Sequence, residues 1–187
     1  MANSALLVMD VQQQIVDIAD DGSGYLSRLR KAIDGARTQG IPVIYVVIAL
    51  RPVPGEVSPR NKVVSAAVQA GLFTEGAPGT EIHPDIAPRP GDVVVAKRRG
   101  SAFSGSDLDL VLRARDIDSL VLTGIATSGV VLHTVCRAND LDFRLTVLVD
   151  ACLDTDPEVH RFLTETLFPQ WVNAVTVDDW VKAIARP

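Results

Sequence analysis

The 187 residues carry a net charge of −5, with 47% hydrophobic and 22% charged side chains, the balance of a globular chain long enough to bury a core. The acidic balance, with no run of Lys and Arg among aromatics, excludes the basic footprint that a nucleic-acid partner requires. The longest apolar runs, such as Val43 to Leu50, are too short to cross a bilayer, and the first ends at Asp10 without a basic lead or a cleavage site, so neither a membrane span nor a signal peptide is expected.

Along the chain, short apolar runs alternate with amphipathic stretches. Ala5 to Met9 reads as a strand, and Tyr25 to Thr38 as a helix with Leu26, Leu29, Ile33 and Ala36 on one face and Gly40 as its stop. Val43 to Ile48 is the second strand, introduced by Pro42, and Val93 to Ala96 the third, after the turn Pro90-Gly91-Asp92. Between them, residues 49–90 hold seven prolines and four glycines, with one short helix expected at Lys62 to Ala70; a lid, a binding loop, an oligomer contact and a surface excursion are all open for this segment. Leu108 to Ala114 reads as a helix, Ser119 to Leu122 as a strand, Ser128 to Leu141 as a helix, and Leu145 to Val149 as a strand. Glu158 to Leu167 follows as a helix, Val172 to Val175 as a short strand, and a last helix begins near Asp178. Strands that are apolar throughout are buried on both faces. Regular alternation of strand and helix predicts right-handed crossovers and a parallel sheet. The expected fold is α/β: one domain over 1–187, a three-layer α/β/α sandwich with a doubly wound parallel sheet of about six strands.

In such sheets ligands bind outside the carboxyl ends of the strands. Two charged residues stand there. Asp10 closes the first strand and Lys97 the third, at matching positions. A carboxylate at the end of a buried strand is partly desolvated, which raises its pKa unless a cation is near. Lys97 would supply that cation and steady a developing negative charge. A turn-forming aspartate and a solvated lysine explain the two residues equally simply. Arg98 and Arg99 read as surface charges or oligomer contacts. After the fourth strand, Gly124-Ile125-Ala126-Thr127-Ser128-Gly129-Val130-Val131 is a small-residue turn opening a helix. Thr127 or Ser128 suits the N-cap, and the turn's N–H groups would favour an oxyanion.

These segments together resemble the isochorismatase-like superfamily, also called cysteine hydrolases. The resemblance rests on Asp10 with Gln12, on Lys97 followed by Ser101-Ala102-Phe103, on Gly124-Ile125-Ala126-Thr127, on Val147 to Cys152, and on Gly79-Thr80-Glu81-Ile82-His83-Pro84. It covers nearly the whole chain in the correct order. It implies that Asp10 is the catalytic aspartate and Lys97 the catalytic lysine, with Gln12, Phe103, Ile125, Ala126, Thr127 and Ser128 around the substrate or its oxyanion. It implies a non-proline cis peptide joining Ile125 to Ala126, and a homodimer or homotetramer. The family's nucleophilic cysteine lies three residues after the threonine of this turn, where this chain has Val130, a side chain that cannot attack anything.

Neither cysteine is a simple replacement. Cys136 lies six residues beyond Val130, about 9 Å of rise and about 240° of rotation away on a helix. A buried structural thiol is expected there, and a small core residue at Cys152. Two cysteines are too few for a disulfide framework, so reduced thiols and a cytoplasmic setting are expected. Ser128 is a further possible nucleophile, but no base is in evidence for it. His83, His133 and His160 are scattered without ligand spacing, and the region after the second strand, Ala49-Leu50-Arg51-Pro52, holds no histidine, so no metal is expected. No phosphate or dinucleotide loop and no nucleophile elbow is present, so no cofactor is expected. The expected partner is a small molecule. Three readings stay open: a hydrolase without a thiol, including vinyl-ether cleavage with Asp10 as acid; an amide or ester hydrolase with a substitute nucleophile; and a non-catalytic binding or structural protein. Phe168-Pro169-Gln170-Trp171 and Trp180 are available for a partner subunit or for internal packing.

Overall fold

The computed structural model describes residues 3–19 and 22–185. Its strands are β1 (Ser4–Met9), β2 (Val43–Ile48), β3 (Val93–Lys97), β4 (Ser119–Ile125), β5 (Arg144–Leu153) and β6 (Asn173–Val175). They form one six-stranded sheet in the order β3-β2-β1-β4-β5-β6, every neighbouring pair parallel. The chain winds outward from β1 to β3, then returns to the other side of β1 with β4. The strand order therefore reverses between β1 and β4, and a crevice opens outside their carboxyl ends.

Period-two alternation along β1 divides the interior. Ala5, Leu7 and Met9 point into one cluster with Ile44, Leu122, Val135 and Phe168. Leu6 and Val8 point into another with Tyr25, Leu29, Tyr45 and Trp180. Each fully buried side chain of this size contributes about 1.5–3 kcal/mol, so β1 is anchored from both faces. Helix α2 (Tyr25–Thr38) and helix α8 (Val177–Ile184) cover the second cluster; α4 (Leu108–Arg113), α5 (Leu132–Asn139) and α7 (Phe168–Trp171) cover the first. Phe168 and Trp180 thus pack internally, while Trp171 stays exposed. The edge strand β3 departs from the all-apolar rule: Val94 is exposed and Val95 buried, as an outer strand allows.

Four elements differ from expectation. A helix α1 (Gln13–Ala19) follows β1 directly. Its Ile15, Ile18 and Ala19 have helical spacing, but the segment is only about two turns long and too short for a periodic pattern to stand out. The helix expected from Ser128 begins instead as a π-type turn, Thr127–Val131, with Gly129 at φ −91° and ψ −108°, and becomes α-helical at Leu132. Helix α6 (Pro157–Phe162) likewise passes through a π-type turn, Leu163–Leu167, into α7. Strand β5 runs on to Leu153 with an irregular register against β4: Leu122 pairs with Val147, but Gly124 pairs with Cys152. Helix α3 (Lys62–Gln69) lies within the 49–90 segment as expected, capped by the Asn61 carboxamide oxygen, which accepts from the Val64 N–H at 3.1 Å.

Candidate active site

Asp10 leaves β1 with φ 55°, in the left-handed region that aspartate tolerates better than most residues. Its N–H still donates to Val46 O at 2.8 Å, so the strand end is held while the side chain turns off the sheet. Lys97 ends β3, two strands away, and only 1% of it is exposed. Its Nζ donates to Asp10 Oδ2 at 2.8 Å and to Arg99 O at 2.9 Å. The second Asp10 oxygen, Oδ1, is buried and has no hydrogen-bond partner. Burial pushes the Asp10 carboxyl above its ordinary pKa, and the Lys97 ammonium, with a smaller pull from the nearby Ile48 backbone N–H, brings it part of the way back.

Both residues line a cavity of about 390 Å³ at the reversal point of the sheet. Ile125, Ala126, Gly129 and Val130 form its floor beside Asp10. The Ile125–Ala126 peptide is cis, as the resemblance implied. Gly124, at φ 146°, makes this approach possible, because a Cβ there would stand 2.2 Å from Met9 O. The walls are apolar: Ile15 and Ile18 from α1, Val63 and Val64 from α3, and Leu72 and Phe73 after it. Ala19, Ile48, Asn61, Gly100, His133 and Thr155 complete the lining. The 49–90 segment therefore supplies a wall of the candidate site.

Other expected site residues lie outside this lining. Gln12 is buried and works as a brace. Its Nε2 donates to Ile48 O at 3.1 Å and Thr80 O at 2.7 Å, while its Oε1 accepts from Ile48 N–H at 3.0 Å. Every hydrogen-bonding group of its carboxamide is engaged, so it holds the ends of β1 and β2 and the Gly79–Pro84 segment together. Phe103 packs against Phe143 with ring centroids 6.0 Å apart, anchoring its turn in the core. Thr127 and Ser128 do not cap α5 with their side chains. The fully buried Thr127 hydroxyl shares a 2.8 Å hydrogen bond with His160 Nδ1, and Ser128 N–H donates to Asp154 Oδ2 at 2.7 Å. Burial lowers the His160 pKa, against the opposing pull of Asp154 and Glu165. Within the turn, Gly129 N–H and Val131 N–H both donate to Ala126 O. Of the turn's amides, those of Ser128, Gly129 and Val131 are thus already occupied by the protein itself.

Cys152 is buried, its thiol pushed up to about 12 by desolvation, so it carries no useful thiolate at neutral pH. Cys136 corrects the expectation of a buried thiol: it is exposed, in a surface hollow with Asn139, Asp140, Gln170 and Trp171. The buried face of α5 carries Thr134, Val135 and Ala138, and position 136 follows Val135 by about 100° of rotation, onto the opposite side. Arg98 and Arg99 are half-buried rather than free surface charges. Arg98 donates to Ala49 O and pairs with Glu75 at 3.0 Å, and Arg99 donates to Glu56 O at 2.7 Å. Among the described residues no cluster of His, Cys, Asp and Glu could hold a metal ion, and no helix is long and apolar enough to cross a membrane.

The residues that escaped sequence reasoning are mainly the apolar walls and His133. His133 follows Val130 by three positions, one helical turn along the same face. Its Nδ1 bonds Gly129 O at 2.7 Å, and its ring packs on Gly100, where a Cβ would come within 3.0 Å of it.

The Isochorismatase domain family matches residues 4–179. The chain is 30% identical over 181 residues to the isochorismatase family protein YwoC of Bacillus subtilis, covering 97% of this chain and 94% of that one. It is 32% identical over 198 residues to the ureidoacrylate amidohydrolase RutB of Pseudomonas syringae, covering 92% of this chain and 80% of that one. Among solved structures, an isochorismatase family protein from Desulfovibrio vulgaris superposes with a TM-score of 0.85 at 26% identity, over 100% of both chains. With a match over nearly its whole length and the same sheet around the Asp10 crevice, this chain belongs to the isochorismatase family.

Proposed function

We propose that this family member hydrolyses a small molecule by proton transfer from Asp10 rather than by thiol attack, and that the bond cleaved is a vinyl ether. The observation that carries the reading is the asymmetry of the Asp10 carboxyl. Oδ2 is held by Lys97, Oδ1 is buried and unpartnered, and Val130 occupies the floor of the same cavity. A proton on this carboxyl resides on Oδ1, since Oδ2 accepts from the ammonium. Burial favours that protonated form.

The steps balance without a covalent enzyme intermediate. Asp10 Oδ1 gives its proton to the terminal vinyl carbon, and the C=C electrons form the new C–H bond. The other vinyl carbon becomes an oxocarbenium centre. Water adds to it and returns one proton to Asp10. The second water proton moves to the ether oxygen as the C–O bond breaks, releasing an alcohol and a carbonyl compound. Lys97 steadies the carboxylate left after the first step. Amides are the alternative suggested by the name of the relative RutB. Thiol attack on an amide would fall to Cys136, which is exposed in a hollow away from the Asp10 cavity, or to Cys152, whose buried thiol is pushed up to about 12.

The test is a screen of purified protein against enol ethers, amides and esters. Enol-ether cleavage that disappears in Asp10→Asn and persists in Val130→Ala is the expected result. Equal rates in wild type and Asp10→Asn would overturn the acid role, and binding without turnover of any compound would return the non-catalytic reading.

A further inference from the structure

Once the vinyl carbon is protonated, the cleavage still has two water protons to place, and Asp10 can hold only one of them. The other must reach the ether oxygen. A direct hop between two oxygens on the same carbon cannot form a straight hydrogen bond. Lys97 does not carry this proton, because an ammonium has no lone pair and this one holds Asp10 Oδ2 and Arg99 O. Asn61 and Thr155 do not ionise near neutrality. Among the described residues of the lining this leaves His133. Its Nδ1 lies 2.7 Å from Gly129 O, and since a carbonyl only accepts, Nδ1 carries the ring's proton. Nε2 of the neutral ring is then a bare acceptor, with no hydrogen bond to any described residue. A Cβ at Gly100 would come within 3.0 Å of the ring's Cγ and 3.2 Å of its Cδ2 and Nδ1, so the glycine leaves room for the ring and touches the edge away from Nε2. Gly100 and Gly129, which fix the ring, line the cavity beside it.

We infer that His133 is a second catalytic residue of this site, the carrier of a proton from the attacking water to the ether oxygen. The inference deepens the vinyl-ether reading above and rests on it. As water adds to the oxocarbenium carbon, one of its O–H bonds breaks toward His133 Nε2 and the ring becomes an imidazolium. The Nδ1–H bond to Gly129 O strengthens with that charge. The imidazolium then gives the Nε2 proton to the ether oxygen as the old C–O bond breaks. The remaining hydroxyl proton goes to the Asp10 carboxylate, and its electron pair closes the carbonyl. The ring ends neutral and Asp10 protonated, as both began.

Two vinyl ethers of similar size test it. Benzyl vinyl ether loses an alkoxide that leaves only with a proton, whereas 4-nitrophenyl vinyl ether loses a phenolate that leaves unaided. The variants are His133→Ala and His133→Asn. The second keeps an amide N–H for Gly129 O but has no Nε2, and the exposed position spares the core in both. Turnover of the benzyl ether should fall by about 10²-fold or more in both variants, and that of the nitrophenyl ether by less than about fivefold. Equal losses on the two ethers overturn the inference, since a merely structural role does not sense the leaving group. So does a benzyl rate kept in His133→Asn, which reduces His133 to a brace for the turn. Cleavage that is lost in Asp10→Asn but unchanged in both His133 variants keeps the acid mechanism and loses this inference. A wild-type protein that cleaves neither ether loses both.

Discussion

The two sides of the crevice have different characters. On the β1–β3 side, a buried ion pair sits at the ends of two strands, with one carboxylate oxygen left over. On the β4 side, the turn is polar only behind its surface, where Thr127 meets His160 and Ser128 meets Asp154, and it presents Ile125, Ala126 and Val130 to the cavity. The proposed proton transfer from Asp10 therefore draws on one side alone, and the turn on the other offers shape and support. A buried pair is costly to break and easy to replace as a whole, whereas an apolar floor yields gradually to truncation. The difference predicts unequal responses to substitution.

The largest effect should come from Asp10→Ala. Enol-ether hydrolysis should fall by about 10²–10⁴, the usual span for a general acid. Stability should fall by about 3–5 kcal/mol, because Lys97 is left buried and unpaired. The double variant Asp10→Leu/Lys97→Met should recover most of that stability and none of the activity, by chemical denaturation and steady-state assay. Recovery of activity in the double variant would end the distinction between the two sides.

The pH profile sharpens the same point. Burial raises the Asp10 pKa above its unfolded value, so its contribution to stability is fully present below the ordinary carboxylate range. That contribution is lost as pH rises through the raised value. The protonated fraction feeds the acid step, so kcat/KM should decline over the same window. A rate that climbs with pH there would point to a general base instead.

Next in size is the support behind the turn. His160→Ala leaves the buried Thr127 hydroxyl without its partner and should cost about 1–3 kcal/mol. The His160 pKa is lowered, so its contribution is present above the ordinary histidine range and lost as pH falls through the lowered value. Unfolding midpoints measured against pH should lose that acid-side slope in the variant.

Val130→Ala should be milder, about 1–2 kcal/mol for two buried methyl groups, with most activity kept. Smallest of all, iodoacetamide should label Cys136 in the native protein, spare Cys152, and leave the rate unchanged, as peptide mapping and assay would read.

Most strands and the long helix α2 were legible because hydrophobic periodicity is a local property, written in consecutive residues. So was the placement of Asp10 and Lys97, since each closes an unmistakable apolar run. The doubly wound parallel class of the sheet and the family's chain-long set of motifs followed from the same local signals, but the order of its strands came only from the tertiary structure. Helix α1 and the π-type turn at Thr127–Val131 were not legible, the first because about two turns repeat its period too few times to stand out, the second because a kink at Gly129 leaves no mark in composition. The cavity belongs wholly to the tertiary structure. Its walls come from residues 15–19, 61–73 and 125–133, which no local pattern brings together. The same holds for Gln12 and Phe103, which read as site residues by their neighbours in sequence and became a brace and a core anchor by their neighbours in space. Sequence decided which residues could do chemistry. Packing decided which of them meet an open space, how dry that space is, and that a single carboxylate oxygen is left there unpaired.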